Sequence, residues 1–173
     1  MRISVPDYMF SSLTEITPEF LKSRGIKALL CDIDNTLVTY DDPTPTPTAQ
    51  AWIDGMTENG IKIAFVSNND SERVLLFNRD LGFMAYPNAK KPLPKTPRAA
   101  LSALGVKPSE AAMLGDQIFT DVWTGRLLGI RTLLVPPIKD KTSFFFKSKR
   151  FLEKPFISLY KHYGPLEKKK GKV

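Results

Sequence analysis

Cys31-Asp32-Ile33-Asp34-Asn35-Thr36-Leu37 directly follows the apolar run Ile26 to Cys31. A short run of that kind makes a buried strand, so two carboxylates, one residue apart, stand at its carboxyl end. In open α/β sheets this is where ligands bind. Two acids so close repel each other unless something compensates, and a divalent cation, which takes oxygen ligands, is the simplest compensation. In isolation the same residues also read as a turn with solvated Asp and Asn. The rest of the chain has to decide between the two.

Downstream, short apolar runs alternate with one-faced helical patterns. Ala49, Trp52, Ile53 and Met56 fall at helical spacing, and Asn59-Gly60 ends that helix. Ile61 to Val66 is a second strand, ending at Ser67-Asn68-Asn69. Asp70 or Ser71 caps the next helix, which Gly82 closes. Phe83 to Tyr86 is a third, shorter strand that leads to Lys90-Lys91-Pro92. A helix from Thr96-Pro97 to Gly105 precedes a fourth strand, Ala111 to Leu114, which ends at Gly115-Asp116. Val122, Trp123 and Leu127 mark another helix, Gly129 stops it, and Ile130 to Val135 is a fifth strand. Such alternation predicts a three-layer, Rossmann-like α/β fold with a parallel sheet of about five strands and helices on both faces.

The flanks are less regular. Met1 to about residue 25 reads as a lead-in, with Thr17 as N-cap and Pro18 at the first position of a short helix. Asp41 to Thr48 carries three prolines at alternate positions and reads as an extended surface loop, either a flap over a site or a stiff connector. Residues 1–138 then form one domain, and 139–173 a tail.

Composition excludes several chemistries. The chain has 173 residues, one cysteine and one histidine. Cys31 sits in an apolar strand, and His162 lies far downstream. No disulfide, Ser-His-Asp arrangement or multi-histidine zinc site is available. Acid–base chemistry falls to carboxylates, lysine or tyrosine. No apolar run reaches about 18 residues, and Met1 to Pro6 lacks a secretory pattern. The expected location is therefore cytoplasmic, peripheral to a membrane where the tail binds one.

Charge separates body from tail. Residues 1–138 carry 14 basic and 15 acidic residues, a net of −1. Residues 139–173 carry 11 and 3, a net of +8, which together make the stated +7. The tail interleaves these charges with aromatics, from Phe144-Phe145-Phe146 through Phe151 and Phe156 to Tyr160 and Tyr163. It has three readings: docking on an anionic membrane surface, contact with nucleic-acid phosphates and bases, or a terminal helix packed on the domain. The first is favoured, the packed helix comes next and nucleic acid last.

All carboxyl ends of a parallel sheet lie on one edge. Asp32, Asp34, Ser67, Asn68, Lys91, Asp116 and Asp121 therefore converge, and acids with a cation, a hydroxyl and an amide suit a phosphoryl group. Each alone has a plain explanation as turn chemistry; four strand ends together do not. In order and spacing, Asp-x-Asp-Asn-Thr, Ser, Lys-Pro and Gly-Asp-x-x-x-x-Asp resemble the haloacid dehalogenase (HAD) superfamily of phosphatases. The pattern is most similar to the HAD-IIIA type and its YqeG-like members, themselves similar to phosphatidylglycerophosphate phosphatases of mitochondria and plastids.

The resemblance implies a phosphomonoester hydrolase that passes through an aspartyl-phosphate. Asp32 is then the nucleophile, and Asp34 the general acid and later base. Thr36 holds the loop, Ser67 with the Asn68 amide contacts the phosphoryl oxygens, and Lys91 neutralises charge. Mg²⁺ is the implied cofactor, with Asp32, the Asp34 backbone carbonyl and Asp116 as ligands and Asp121 in support. Lys90 can take the place of Lys91, and Asp121 can simply cap its helix. The gaps 37–61 and 69–91 are too short for a cap domain, so a bulky phosphorylated substrate such as an anionic phospholipid is expected. The alternatives are an RNA- or ribosome-associated protein that keeps the fold for binding, and a phosphatase for nucleic-acid ends or phosphorylated metabolites.

Overall fold

The structure, a computed structural model, describes residues 2–139 and 144–164. Six parallel strands form one sheet: β1 (Tyr8–Met9), β2 (Ala28–Cys31), β3 (Lys62–Val66), β4 (Met84–Tyr86), β5 (Ala111–Gly115) and β6 (Arg131–Leu134). Their order is β1-β6-β5-β2-β3-β4. The five strands expected from the sequence are present, and the lead-in adds a sixth at the edge. Two residues are too few for a periodic signal. β1 is instead held from outside, by pairing of Tyr8 with Leu133 and of Met9 with Leu134.

Six α-helices accompany the sheet: α1 (Pro18–Ser23), α2 (Pro47–Glu58), α3 (Ser71–Asn78), α4 (Lys95–Leu104), α5 (Trp123–Leu128) and α6 (Phe144–Tyr163). Thr17 caps α1 as expected, accepting from Phe20 N–H, and Asp70 rather than Ser71 caps α3, accepting from Arg73 N–H. The proline segment does not stay extended to Thr48. Pro47 opens α2, with Thr46 as its cap, because a missing N–H costs nothing at a first helical position. The helix expected from Thr96 starts at Lys95, and its N-cap position, Pro94, supplies no side-chain bond.

Both faces of the sheet are buried. Leu29, Cys31, Ile63, Phe65 and Leu114 pack with Leu21, Ile53, Met56 and Phe77 on one side. Their alternate neighbours Ala28, Leu30, Ala64, Val66 and Met113 pack with Ala100, Leu101, Leu104 and Leu128 on the other. Side chains that alternate along a strand make two cores from one sheet, and the three layers follow.

The tail helix touches the body. Phe156 meets Phe119 edge to face at 6.0 Å, the buried Glu153 accepts from Ile118 N–H at 2.9 Å, and Tyr160 Oη accepts from Met9 N–H at 3.0 Å. The packed-helix reading thus describes this face of α6. Its outer face exposes Phe151 and Leu152, 68% and 59% accessible. Lys168 to Lys170 lie outside the described residues.

Candidate active site

The sheet order places the site. β2 continues to β3 on one side and has β5 on the other, so the connections after β2 and β5 part at a topological switch point, where a crevice opens. Register then aligns the motifs. Cys31 pairs with both Phe65 and Leu114, so Asp32 stands beside Val66 and Gly115, with Ser67 and Asp116 one residue further along.

Asp32, Asp116 and Asp121 are buried, and each presents an oxygen within 4.8 Å of the others. Lys91 Nζ bridges Asp32 Oδ1 and Asp121 Oδ1, at 2.7 Å to each. Lys91 is buried and Lys90 is exposed, which resolves the choice between them. Asp121 lies in a π-helical turn, Ile118–Val122, and its Oδ2 accepts from Gln117 N–H at 3.1 Å. Its carboxylate thus belongs to the cluster and is no simple helix cap. A Cβ on Gly115 would fall 2.2 Å from Asp121 Cγ, so only glycine lets this carboxylate lie across the strand end.

Three carboxylates against one ammonium leave this pocket negative. Burial is the main influence on Asp32 and drives its carboxyl up to about 7; Lys91 opposes the shift, while Asp121 and Asp116 add to it. Burial pulls the Lys91 ammonium down, but Asp121 and then Asp32 outweigh it, and the net direction is up. A dry, anionic set of oxygens of this kind fits a hard divalent cation. Asp34 directs its carboxylate elsewhere, so only its backbone carbonyl is left as a ligand of the kind expected.

The remaining expected residues surround Asp32. Thr36 Oγ1 donates to Asp32 Oδ2 at 3.4 Å, so it touches the carboxylate itself. Ser67 is buried, and its Oγ accepts from Asn69 N–H at 3.0 Å, which leaves the hydroxyl hydrogen to donate. The Asn68 side chain is engaged by Lys91, accepting from its N–H at 2.6 Å and donating to its carbonyl at 3.1 Å. Asn68 therefore holds Lys91 in place through its side chain.

Three neighbours escaped the sequence reading. Arg73 Nε and Nη2 reach Asp34 Oδ1 at 3.0 and 2.9 Å, and Asn69 Nδ2 reaches Asp34 Oδ2 at 3.1 Å. Tyr40 is half-buried, and its phenol is held above the ordinary range, by burial first and then by Asp32, Asp116, Asp34 and Asp121. A lone arginine in a helix and a tyrosine before a proline loop carry no spacing signal that could have found them.

Comparison with known proteins identifies the class. A family model described as haloacid dehalogenase-like hydrolase matches residues 12–129. The chain belongs to this hydrolase family, as a HAD-type phosphatase. It is 37% identical over 163 residues to a Bacillus subtilis (strain 168) protein described as probable phosphatase YqeG, covering 94% of this chain and 95% of that protein. It is 25% identical over 170 residues to the chloroplastic/mitochondrial phosphatidylglycerophosphate phosphatase 1 of Arabidopsis thaliana, covering 92% of this chain and 49% of that protein. Among solved structures, the cobalt-bound deoxy-D-mannose-octulosonate 8-phosphate phosphatase of Haemophilus influenzae superposes with a TM-score of 0.54 at 16% identity, over 79% of this chain and 90% of the other. An uncharacterised Listeria monocytogenes protein gives 0.55 at 18%, over 68% and 85%. These two likenesses concern the fold.

Proposed function

We propose that this chain is a Mg²⁺-dependent phosphomonoesterase that forms an aspartyl-phosphate on Asp32 and acts on phosphatidylglycerophosphate at a membrane surface. The observation that carries the chemistry is the buried set of Asp32, Asp116 and Asp121 bridged by Lys91 at the switch point.

In the first half-reaction an Asp32 carboxylate oxygen attacks phosphorus, the bond to the leaving oxygen breaks, and Asp34 gives that oxygen its proton. In the second, Asp34 takes a proton from water, the water oxygen attacks phosphorus, and the bond to Asp32 breaks, releasing phosphate. Ser67 donates to a phosphoryl oxygen, and Lys91 offsets charge on Asp32 and the transferring group. Asp32, Asp116 and the Asp34 carbonyl, with Asp121 in support, would hold Mg²⁺, which would supply electrostatic stabilisation of the developing charge.

Three features support a lipid. The segments between Leu37 and Ile61 and between Asn69 and Lys91 hold only a loop with α2, and α3 with β4, so no cap domain covers this edge. A groove of about 510 Å³ beside Thr36 is lined by the apolar Leu13, Val38, Val135 and Ile138 together with polar residues such as Thr46 and Asp42. The tail carries the positive charge that an anionic surface attracts.

The test is a Mg²⁺-supplemented assay across phosphatidylglycerophosphate, nucleotide, nucleic-acid-end and sugar phosphates. Lipid hydrolysis that Asp32→Asn abolishes is the expected result. Retained activity in that variant overturns the nucleophile, and hydrolysis confined to the soluble phosphates overturns the lipid.

A further inference from the structure

Arg73 is a cation drawn into the protein, its side chain only 13% accessible. Each of its nitrogens is directed. Nε and Nη2 converge on Asp34 Oδ1 at 3.0 and 2.9 Å, Nη1 donates to Pro43 O at 2.9 Å, and Nη2 also reaches Thr39 O at 3.4 Å. The guanidinium carbon stands 5.9 Å from the centre of the Phe77 ring, on a buried residue of the same helix. The planar fork is thereby held by hydrogen bonds at its nitrogens and by an aromatic ring beside it. Asn69 closes the arrangement, donating to Asp34 Oδ2 at 3.1 Å.

The two oxygens of Asp34 are therefore unequal. Oδ1 accepts two charged N–H groups from one direction, and such charge-assisted bonds are the strong ones. Oδ2 accepts a single neutral amide and keeps a lone pair. From this asymmetry, and resting on the function proposed above, we propose that Arg73 is a positioning residue for proton transfer. It anchors Asp34 through Oδ1 so that Oδ2 alone gives the proton to the leaving oxygen and later takes one from the attacking water. The same guanidinium ties the start of the proline segment to that anchor through Pro43, and the residue Thr39 before it, so this segment and the acid–base group are placed together.

A mere loop staple would also use these bonds, so the readout must be specific to proton donation. An alkyl phosphate needs its leaving oxygen protonated, whereas p-nitrophenyl phosphate releases an anion stable enough to depart without help. General acid assistance contributes roughly 10²–10⁴-fold. The Mg²⁺-loaded full chain carrying Arg73→Ala is expected to lose about 10²-fold or more in kcat on glycerol phosphate and under about 10-fold on p-nitrophenyl phosphate. In an Asp34→Asn background, Arg73→Ala is expected to cost nothing further on the alkyl substrate. Arg73→Lys, which keeps charge and bulk but not the fork, follows the same unequal pattern and serves where the alanine variant does not fold. Equal losses on the two substrates, or a full further loss in the Asp34→Asn background, overturn the positioning role and leave a staple. An Asp34→Asn variant that is itself unimpaired on alkyl phosphates overturns the underlying acid–base assignment instead.

Discussion

Asp32 draws its partners from residues far along the chain. Lys91 is the centre of that arrangement, because its ammonium bridges two of the three clustered acids. Removing one partner of a buried ion pair costs about 3–5 kcal/mol, since the other charge is left uncompensated. Lys91→Met is therefore expected to lose stability of that order in chelator, with part of it regained on adding Mg²⁺. Denaturant titrations with and without the ion check this, and a variant as stable as the parent in chelator would refute it. Gly115 makes a second demand. An added methyl group meets the Asp121 carboxylate, and displacing a reacting group by about 1 Å costs roughly 10²-fold in rate. Gly115→Ala is expected to show that loss in steady-state activity while keeping its fold, seen by circular dichroism.

At the scale of elements, the short strand β1 depends on side chains rather than length. Asp7 Oδ2 accepts from Thr132 N–H and its hydroxyl at 2.9 and 3.0 Å, Arg126 Nη1 reaches both Asp7 oxygens, and Arg126 Nη2 donates to Val5 O. This clamp joins the lead-in to β6 and α5, away from the acidic cluster. Asp7→Ala is expected to cost about 3 kcal/mol, at the low end for a buried pair because these groups are partly exposed. That corresponds to a fall of roughly 6–12 °C in melting temperature, with activity retained at temperatures where the variant is folded. The tail helix makes a different contact. Glu153 accepts from Ile118 N–H, the first residue of the turn that carries Asp121. Glu153→Ala leaves that buried N–H unpaired at a cost of about 1–3 kcal/mol, and its activity is expected to fall along with its stability. A variant that loses stability while keeping full kcat would show that α6 is purely a support.

Over the whole molecule, a near-neutral body bears a tail of net +8, and among the described residues no helix is long and apolar enough to cross a membrane. Attraction of basic groups to an anionic surface is worth about 1 kcal/mol each and is screened by salt. Co-sedimentation is expected with vesicles containing phosphatidylglycerol, not with neutral ones, and to weaken as salt rises. Replacing the exposed Phe151 and Leu152 by Asp should reduce it further. Binding that neither salt nor these substitutions alter would point away from the tail.

The layered α/β fold, five of the strands and the converging acids were legible because periodicity and strand-end position are local properties of the chain. Asp32, Ser67, Asp116 and the Lys-Pro pair announce themselves by following apolar runs, and parallel pairing then obliges them to share an edge. What local pattern cannot contain is partnership at a distance. The choice of Lys91 over Lys90, the turning of Asn68 onto Lys91, the Arg73 fork on Asp34 and the two-residue strand β1 are each decided by contacts between segments tens of residues apart. Their energies depend on burial and direction, which exist only once β5 has inserted beside β2 and the helices have closed over both faces. Strand order and motif position settle which groups meet at the sheet edge; packing settles which oxygen faces which cation, because hydrogen bonds and ion pairs act over a few ångströms and follow from contact rather than from order along the chain.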